Sequence, residues 1–600
     1  MFKEKSIPAI FQNRVMEYGD STCVYSKIED KYTALSWKVL NKKIISLAQY
    51  LISKGIKPGD PVGLFSPNRH EWWVADQAIL SVGAINVPIY FSNTTEELHY
   101  ILKDSGCKIC IAAENEHVEK TLEAQKNLNK LKEIISIENN SNKDVTSLSE
   151  IFSTFDNDDD SAIKNIIEKI KPHDLATIMY TSGTTGNPKG VMLTHNNFVS
   201  NAINTMKNVS DLISSDDIAL SFLPLSHVLE RTAGYYIPVY AGAQVAFTEN
   251  MTTILENFTE IRPTFIICVP RIYEKIRATI LSRVSDASFI KKKLFSFALK
   301  TAQKNLPYVC HRKPRGLFFN MRYNLMDKLV FSKMKVTLGM DRLRYAISGG
   351  GPLSVSDAEF FIGMGIEILE GYGLTETSPI TNYNQPGLIK PGTVGNVIPE
   401  TAVKISDAGE ICVKGPQVMK GYYNLPDATA EVFDEDGYFK TGDLGIIDDD
   451  GFLTITGRIK DIIITAGGKN ISPQNIENSI KQSLFIEQIG IIGDKRKYLT
   501  ALIVPSFDEI MKFAKNNNIA FSSNDDLLQK TVIVDLIQKE IDDLTQHFGR
   551  VEKIKNFTLL DAEWTQETGE LTGKQSVKRR IIEEKYQDLI DAMYPQEVNV

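Results

Sequence analysis

The chain has 600 residues, 42% hydrophobic and 24% charged, with a net charge of -8. That is the balance of a globular protein too long for a single core, and its acidity argues against a general nucleic-acid binder. Six cysteines in so long a chain do not make a disulfide framework, no apolar stretch is unbroken for long enough to predict a membrane span, and the segment from Met1 to Ile7 lacks the apolar core of a secretory signal. A cytoplasmic protein in a reducing compartment is expected.

In chain order, residues 7–25 read as a helix and then a strand. Residues 38–55 read as an amphipathic helix with Leu40, Ile44, Leu47 and Leu51 on one face. Gly59 and Asp60 turn into a strand at 62–65, a buried helix follows around Trp72, and 84–88 is again a strand. Short apolar strands alternating with helices predict α/β architecture, with mostly parallel sheets covered by helices. Cys107 and Cys110 form a CxxC inside an apolar strand-like run, with no second Cys/His pair at zinc spacing. Residues 138–162 are rich in Asn, Ser and Asp and predict a solvated loop or linker.

The densest signal follows the apolar run 175–180. Thr181-Ser182-Gly183-Thr184-Thr185-Gly186-Asn187-Pro188-Lys189-Gly190 combines glycines that let backbone N–H groups approach an anion, four hydroxyls and a compact positive charge. It reads as a phosphate-holding loop, but Pro188 precedes the lysine and no Gly-Lys-Ser/Thr closes it, so it is not a Walker loop. The run resembles the phosphate-binding signature of the adenylate-forming enzymes, the superfamily of acyl-CoA synthetases, luciferases and peptide-synthetase adenylation domains.

Further motifs follow in that family's order. The run 221–231, Ser-Phe-Leu-Pro-Leu-Ser-His-Val-Leu-Glu-Arg, resembles the border of the acyl pocket in long-chain fatty acyl-CoA synthetases, which puts His227 in the pocket wall, and Gly351 is assigned to the same pocket. Gly349, Gly350 and Gly351 close a predicted strand in a turn resembling the adenine-binding turn, and Gly371-Tyr372-Gly373-Leu374-Thr375-Glu376 resembles the Tyr-Gly-x-Thr-Glu segment. The resemblance implies that Tyr372 stacks on adenine, that Thr375 contacts the α-phosphate, and that Glu376 holds Mg²⁺ with Thr181. It also implies a ribose site at Asp443 and Arg458, a hinge at Lys460 and a pantetheine channel at Gly467 and Gly468. In the tail, a Thr-x-Lys or Gly-Lys reading selects Lys574 as the adenylation lysine, with Lys578 as the alternative.

The resemblance covers nearly the whole chain. It implies a large N-terminal domain, 1–458, of helix-covered sheets with a small β-subdomain, carrying the ATP and acyl sites, and a smaller mobile C-terminal α/β domain, 459–600. The implied activity is a long-chain fatty acid–CoA ligase that uses ATP, CoA and Mg²⁺. A ligase for acyl carrier protein and a non-catalytic acyl or nucleotide binder stay open as alternatives. Between Lys291 and Lys335 stand twelve Lys or Arg and one acid, Asp327, interleaved with aromatic residues. That composition suits either a solvated helical face over buried aromatics or peripheral contact with an anionic bilayer.

Overall fold

The computed structural model describes residues 5–155, 159–181, 187–207, 212–250, 252–565, 568–571 and 577–594. Among these residues, two large sheets carry the bulk of the chain. One runs in the order Gly421–Tyr422, Lys189–Thr194, Leu175–Thr181, Ile85–Ile89, Pro61–Phe65, Ile109–Ala112, Glu133–Ser136, Val145–Ser147. It is parallel from Leu175–Thr181 outward and antiparallel at the Lys189–Thr194 edge. Its central strands are short apolar runs buried on both faces, as a helix-covered parallel sheet requires. Cys107 and Cys110 sit within it, fully buried, and burial pushes the Cys107 thiol up to about 12.

The second sheet has a parallel core of Glu367–Gly373, Tyr345–Ser348, Phe265–Cys268, Ile218–Ser221, Gln244–Phe247 and Thr22–Ile28, flanked by antiparallel strands at both edges. Helix Trp37–Ser53 forms where its periodicity predicts. Ser36 caps it by accepting a hydrogen bond from Val39 N, and Leu40, Ile44, Leu47 and Leu51 are buried. A four-stranded antiparallel sheet, Ala402–Ile405, Glu410–Lys414, Phe439–Ile447 and Leu453–Arg458, forms a small β-unit beside the two large ones.

Beyond residue 460 the described chain builds its own hydrophobic clusters. One centres on Ile476, Ile489, Leu499, Ile533 and Ile537, and another on Leu502, Trp564 and Ile582, over a three-stranded sheet. Neither cluster shares a residue with those of the larger part. Among the contacts joining the two parts are polar ones: Arg271 pairs with Glu487, Ser356 Oγ donates to Gln482 Oε1 at 2.8 Å, and Lys512 Nζ donates to Ser282 Oγ at 3.1 Å.

The loop expected over 138–162 is partly regular. Val145–Ser147 adds an edge strand to Glu133–Ser136, and helix Leu148–Thr154 buries Leu148 and Ile151. Three apolar residues outweigh the polar composition around them. The basic stretch forms helices Phe289–Cys310 and Leu317–Met326. Phe295, Tyr323 and Phe331 are buried there, but Phe318 is 87% exposed and Leu317 72%. Among the described residues no helix is long and apolar enough to cross a membrane.

Candidate active site

Strand Leu175–Thr181 delivers Thr181 to the start of the glycine loop, and Lys189–Thr194 returns antiparallel, pairing Lys189 with Thr181 in register. Ser182, Gly183, Thr184, Thr185 and Gly186 lie outside the described residues. The edge strand Gly421–Tyr422 sets Tyr422 opposite Val191, where the Lys189 ammonium lies 4.9 Å from the centre of the Tyr422 ring. The Tyr422 hydroxyl in turn donates to Glu376 Oε1 at 3.0 Å. Burial, together with the Glu376 charge, drives the Tyr422 phenol far above its ordinary range, so it stays a donor to that carboxylate. Glu376 sits on the short turn Thr375–Thr377, whose carbonyl oxygen at Glu376 accepts Met419 N at 2.8 Å. Cross-strand register thus gathers a hydroxyl, an ammonium and a carboxylate at one sheet end.

A second group forms around Asp443. Strands Phe439–Ile447 and Leu453–Arg458 pair Asp443 with Arg458, and Arg458 Nε donates to Asp443 Oδ1 at 2.8 Å. The Tyr372 hydroxyl donates to Asp443 Oδ2 at 2.7 Å. A carboxylate offers about four lone-pair positions, so two remain for further donors. Burial, reinforced by Asp443, raises the Tyr372 phenol well above its usual range and keeps it protonated.

Tyr372 also lines a cavity of about 780 Å³ with its open mouth included. Gly349, Gly350, Gly371, Gly373 and Thr375 also line it. The remainder of the wall is mostly aliphatic, from Leu229, Ala233, Ile237 and Leu369. Gly350 has φ +79°, and a Cβ on Gly373 would stand 1.6 Å from the Pro379 carbonyl oxygen, so both positions require glycine. Beneath the glycine turn, buried Glu370 accepts Leu353 N at 3.0 Å, and burial lifts its carboxyl to about 8.

His227 lines the cavity, and its Nδ1 accepts the Leu229 N–H at 3.2 Å, which fixes the ring. It leads into a π-helix, Glu230–Tyr236, an irregularity common at functional sites. Arg231 on that helix is fully buried. It pairs with Asp76 and donates to Thr177 Oγ1 at 2.8 Å and Tyr236 Oη at 2.9 Å. The cavity wall is thereby bolted to the strand that carries Thr181.

Other anticipated residues stand elsewhere. Gly351 is outside the cavity lining, with Pro270 nearest to its missing Cβ. Lys460 is exposed in the turn Ile459–Asp461, two residues past Arg458. Gly467 and Gly468 are exposed between Ile463–Ile464 and Asn470–Ile471. Lys574 lies outside the described residues, and Lys578 is exposed at the start of helix Arg579–Lys585. Tyr422, Tyr383, Glu370 and Thr205 went unnoticed in the sequence. Glu370 stands just before the Gly371 run without a chemical signal of its own, Tyr422 and Tyr383 meet the others through strand pairing, and Thr205 does so from helix His195–Lys207.

The chain belongs to the family of AMP-binding enzymes, which it matches over residues 11–423; residues 460–598 match the AMP-binding enzyme C-terminal domain. Among its relatives, the long-chain-fatty-acid–CoA ligase FadD15 of Mycobacterium bovis is 35% identical over 577 residues, covering 96% of this chain and 94% of that protein. The long-chain-fatty-acid–CoA ligase ACSBG2 of Gallus gallus is 30% identical over 625 residues, covering 98% of this chain and 81% of its own. Among solved structures, the adenylation domain of a carboxylate reductase from Mycobacterium chelonae superposes with a TM-score of 0.76 at 20% identity, covering 99% of this chain and 92% of its own. That likeness establishes the shared fold.

Proposed function

We propose that the protein is a long-chain fatty acid–CoA ligase forming AMP. The observation that carries this reading is the cavity itself. The glycines, Tyr372 and Thr375 of the nucleotide motifs line it together with aliphatic side chains, a composition suited to a fatty acid whose carboxylate lies beside an α-phosphate. In the first step a carboxylate oxygen bonds to the α-phosphorus and the bond to pyrophosphate breaks. In the second, the CoA thiolate attacks the acyl carbon and AMP leaves. Neither step needs a covalent enzyme intermediate; positioning and charge stabilisation suffice.

In this reading Thr181, Lys189 and the loop 182–186 hold the phosphates, and Lys574 offsets charge on the carboxylate and α-phosphate. Tyr372 stacks on adenine, and Asp443 with Arg458 takes the ribose hydroxyls through the open positions of the carboxylate. Glu376 and Thr181 would hold Mg²⁺. Among the described residues no group of three His, Cys, Asp or Glu could cage an ion. One carboxylate beside a hydroxyl fits an ion that arrives on ATP phosphates and keeps its waters. When bound, Mg²⁺ supplies charge neutralisation on the phosphates. The boundary falls at 458/459, with Lys460 as the hinge and Gly467 and Gly468 lining the CoA channel after the small domain turns. Separate hydrophobic clusters on the two sides support it.

The test is product analysis by mass spectrometry after incubation with MgATP, palmitate and CoA, with a parallel tube lacking CoA. AMP with palmitoyl-CoA is expected. Palmitoyl-adenylate without thioester would replace CoA by acyl carrier protein as acceptor, and neither product across a chain-length panel would leave a binding protein.

A second reading, that the enzyme docks on an anionic bilayer, rests on helix Leu317–Met326. Leu317, Met321 and Leu325 are exposed on one face at i, i+4 and i+8, with Phe318 beside them, Phe289 and Ile290 exposed on the preceding helix, and lysines around them. The charge of 291–335 complements an acidic lipid surface. Flotation with vesicles containing phosphatidylglycerol should carry the protein, while neutral phosphatidylcholine vesicles should not. Leu317→Ser with Phe318→Ser should abolish flotation while sparing turnover of detergent-dispersed palmitate. No flotation, or self-association through this face instead, would sink the idea.

A further inference from the structure

One hydroxyl of the cavity lining is unlike the others. The cavity meets the last turn of helix His195–Lys207, where Thr205 lines it, is 4% exposed, and has no hydrogen-bond partner for its Oγ1. Helical hydroxyls commonly turn back to the carbonyl four residues earlier. Thr121, Ser200, Thr301 and Thr545 do so in this chain. Thr205 does not.

Among the described residues none is hydrogen-bonded to it. Leu212, Ile213 and Ile237 are aliphatic, and the Tyr383 phenol is committed to the Thr205 carbonyl oxygen at 2.8 Å. One turn earlier on the same helix face, buried Asn201 donates its amide to the Ile380 carbonyl at 2.7 Å and leaves its Oδ1 without a partner. A buried hydroxyl left without a partner is unfavourable. A plain hydrocarbon chain offers it nothing.

Ser348 provides the contrast. Its buried Oγ also lacks a partner and lines the cavity, but it adjoins Gly349, where the proposed chemistry brings carboxylate and phosphate oxygens. The proposed reaction supplies no such group at Thr205. Helix His195–Lys207, which carries Thr205, packs on the helices Glu230–Tyr236 and Ile237–Ala241 that supply the aliphatic lining residues Ala233 and Ile237, and this sets Thr205 beside the chain of an acyl ligand.

We infer that the cavity selects fatty acids bearing a hydroxyl group along the chain, at the depth where it meets Thr205. This rests on the acyl-activating reading above. The substrate hydroxyl would both donate to and accept from its surroundings, which makes it a match for Thr205 Oγ1.

The test measures kcat/KM for palmitate and for a panel of monohydroxy-palmitates differing only in hydroxyl position. One position should exceed palmitate by about tenfold, the size of one good hydrogen bond in a dry site. Thr205→Val, equal in shape, should bring that isomer down to the variant's own value for palmitate, while Thr205→Ser should retain the preference. Palmitate matching or beating every isomer would overturn the inference and leave the ligase reading intact, pointing to an ordered water at Thr205; this arm needs no variant to fold. A preference that survives in Thr205→Val would overturn Thr205 as its source. If no acid of either kind is activated, the ligase reading fails and this inference falls with it.

Discussion

Glu230 illustrates how strongly burial acts on a single group in this wall. Its carboxyl receives the Ser221 hydroxyl at 2.6 Å on one oxygen, the other has no partner, and burial lifts it from its ordinary value of 4.5 to about 8. The folded protein therefore holds a proton that the unfolded chain has already released. The stability this group contributes is complete below pH 4.5, falls by about 1.4 kcal/mol per pH unit as pH rises from 4.5 toward 8, and then levels. Glu230→Gln, which keeps the shape and removes the ionisation, should melt several degrees above the parent at pH 8.5 and within error of it at pH 5. Parallel melting curves at every pH would mean that Glu230 is ionised in the fold. At this scale the sequence was most informative where one reaction needs several residue types together, as in Thr181 to Gly190. It placed Glu230 within the pocket-border run 221–231 but was silent on its protonation, because nothing local shows that Arg231 pairs with Asp76 instead.

Between elements, that ion pair joins three pieces far apart in sequence: helix His70–Ser81, strand Leu175–Thr181 and the π-helix Glu230–Tyr236. Both side chains are fully buried, and the Tyr236 hydroxyl and Asn86 amide also donate to Asp76. Arg231→Met would strand the carboxylate, and a loss of about 3–5 kcal/mol is expected in urea unfolding of the large part. Asp76→Asn with Arg231→Met should recover much of it, since no charge is then left alone. If the double variant is as weak as the single one, the pair acts through its packing. Helices and strands with clean periodicity, such as Trp37–Ser53 and Pro61–Phe65, were legible because their own side chains decide them. Val145–Ser147 was not: its strand exists because Glu133–Ser136 offers a free edge, a fact no local composition records. Tyr422 entered the site by the same route, through pairing with Val191.

Across the whole molecule, the larger and smaller parts keep separate hydrophobic clusters, and contacts between them include charged and hydroxyl tips such as Arg271 with Glu487 and Ser356 with Gln482. Heat taken up on melting reports how many units come apart together, and units without a common core need not come apart together. Scanning calorimetry of the ligand-free enzyme should resolve two endotherms, the smaller one from the chain after 460. A single two-state peak would mean that the polar seam couples them more tightly than its chemistry implies. Raising the salt concentration should widen the gap between the endotherms, because exposed ion pairs weaken as the Debye length shrinks. A ligand gripped by both parts at once would fuse them into one. The thermogram of this enzyme is then a gauge of whether a bound molecule spans the seam, readable without any chemical step taking place.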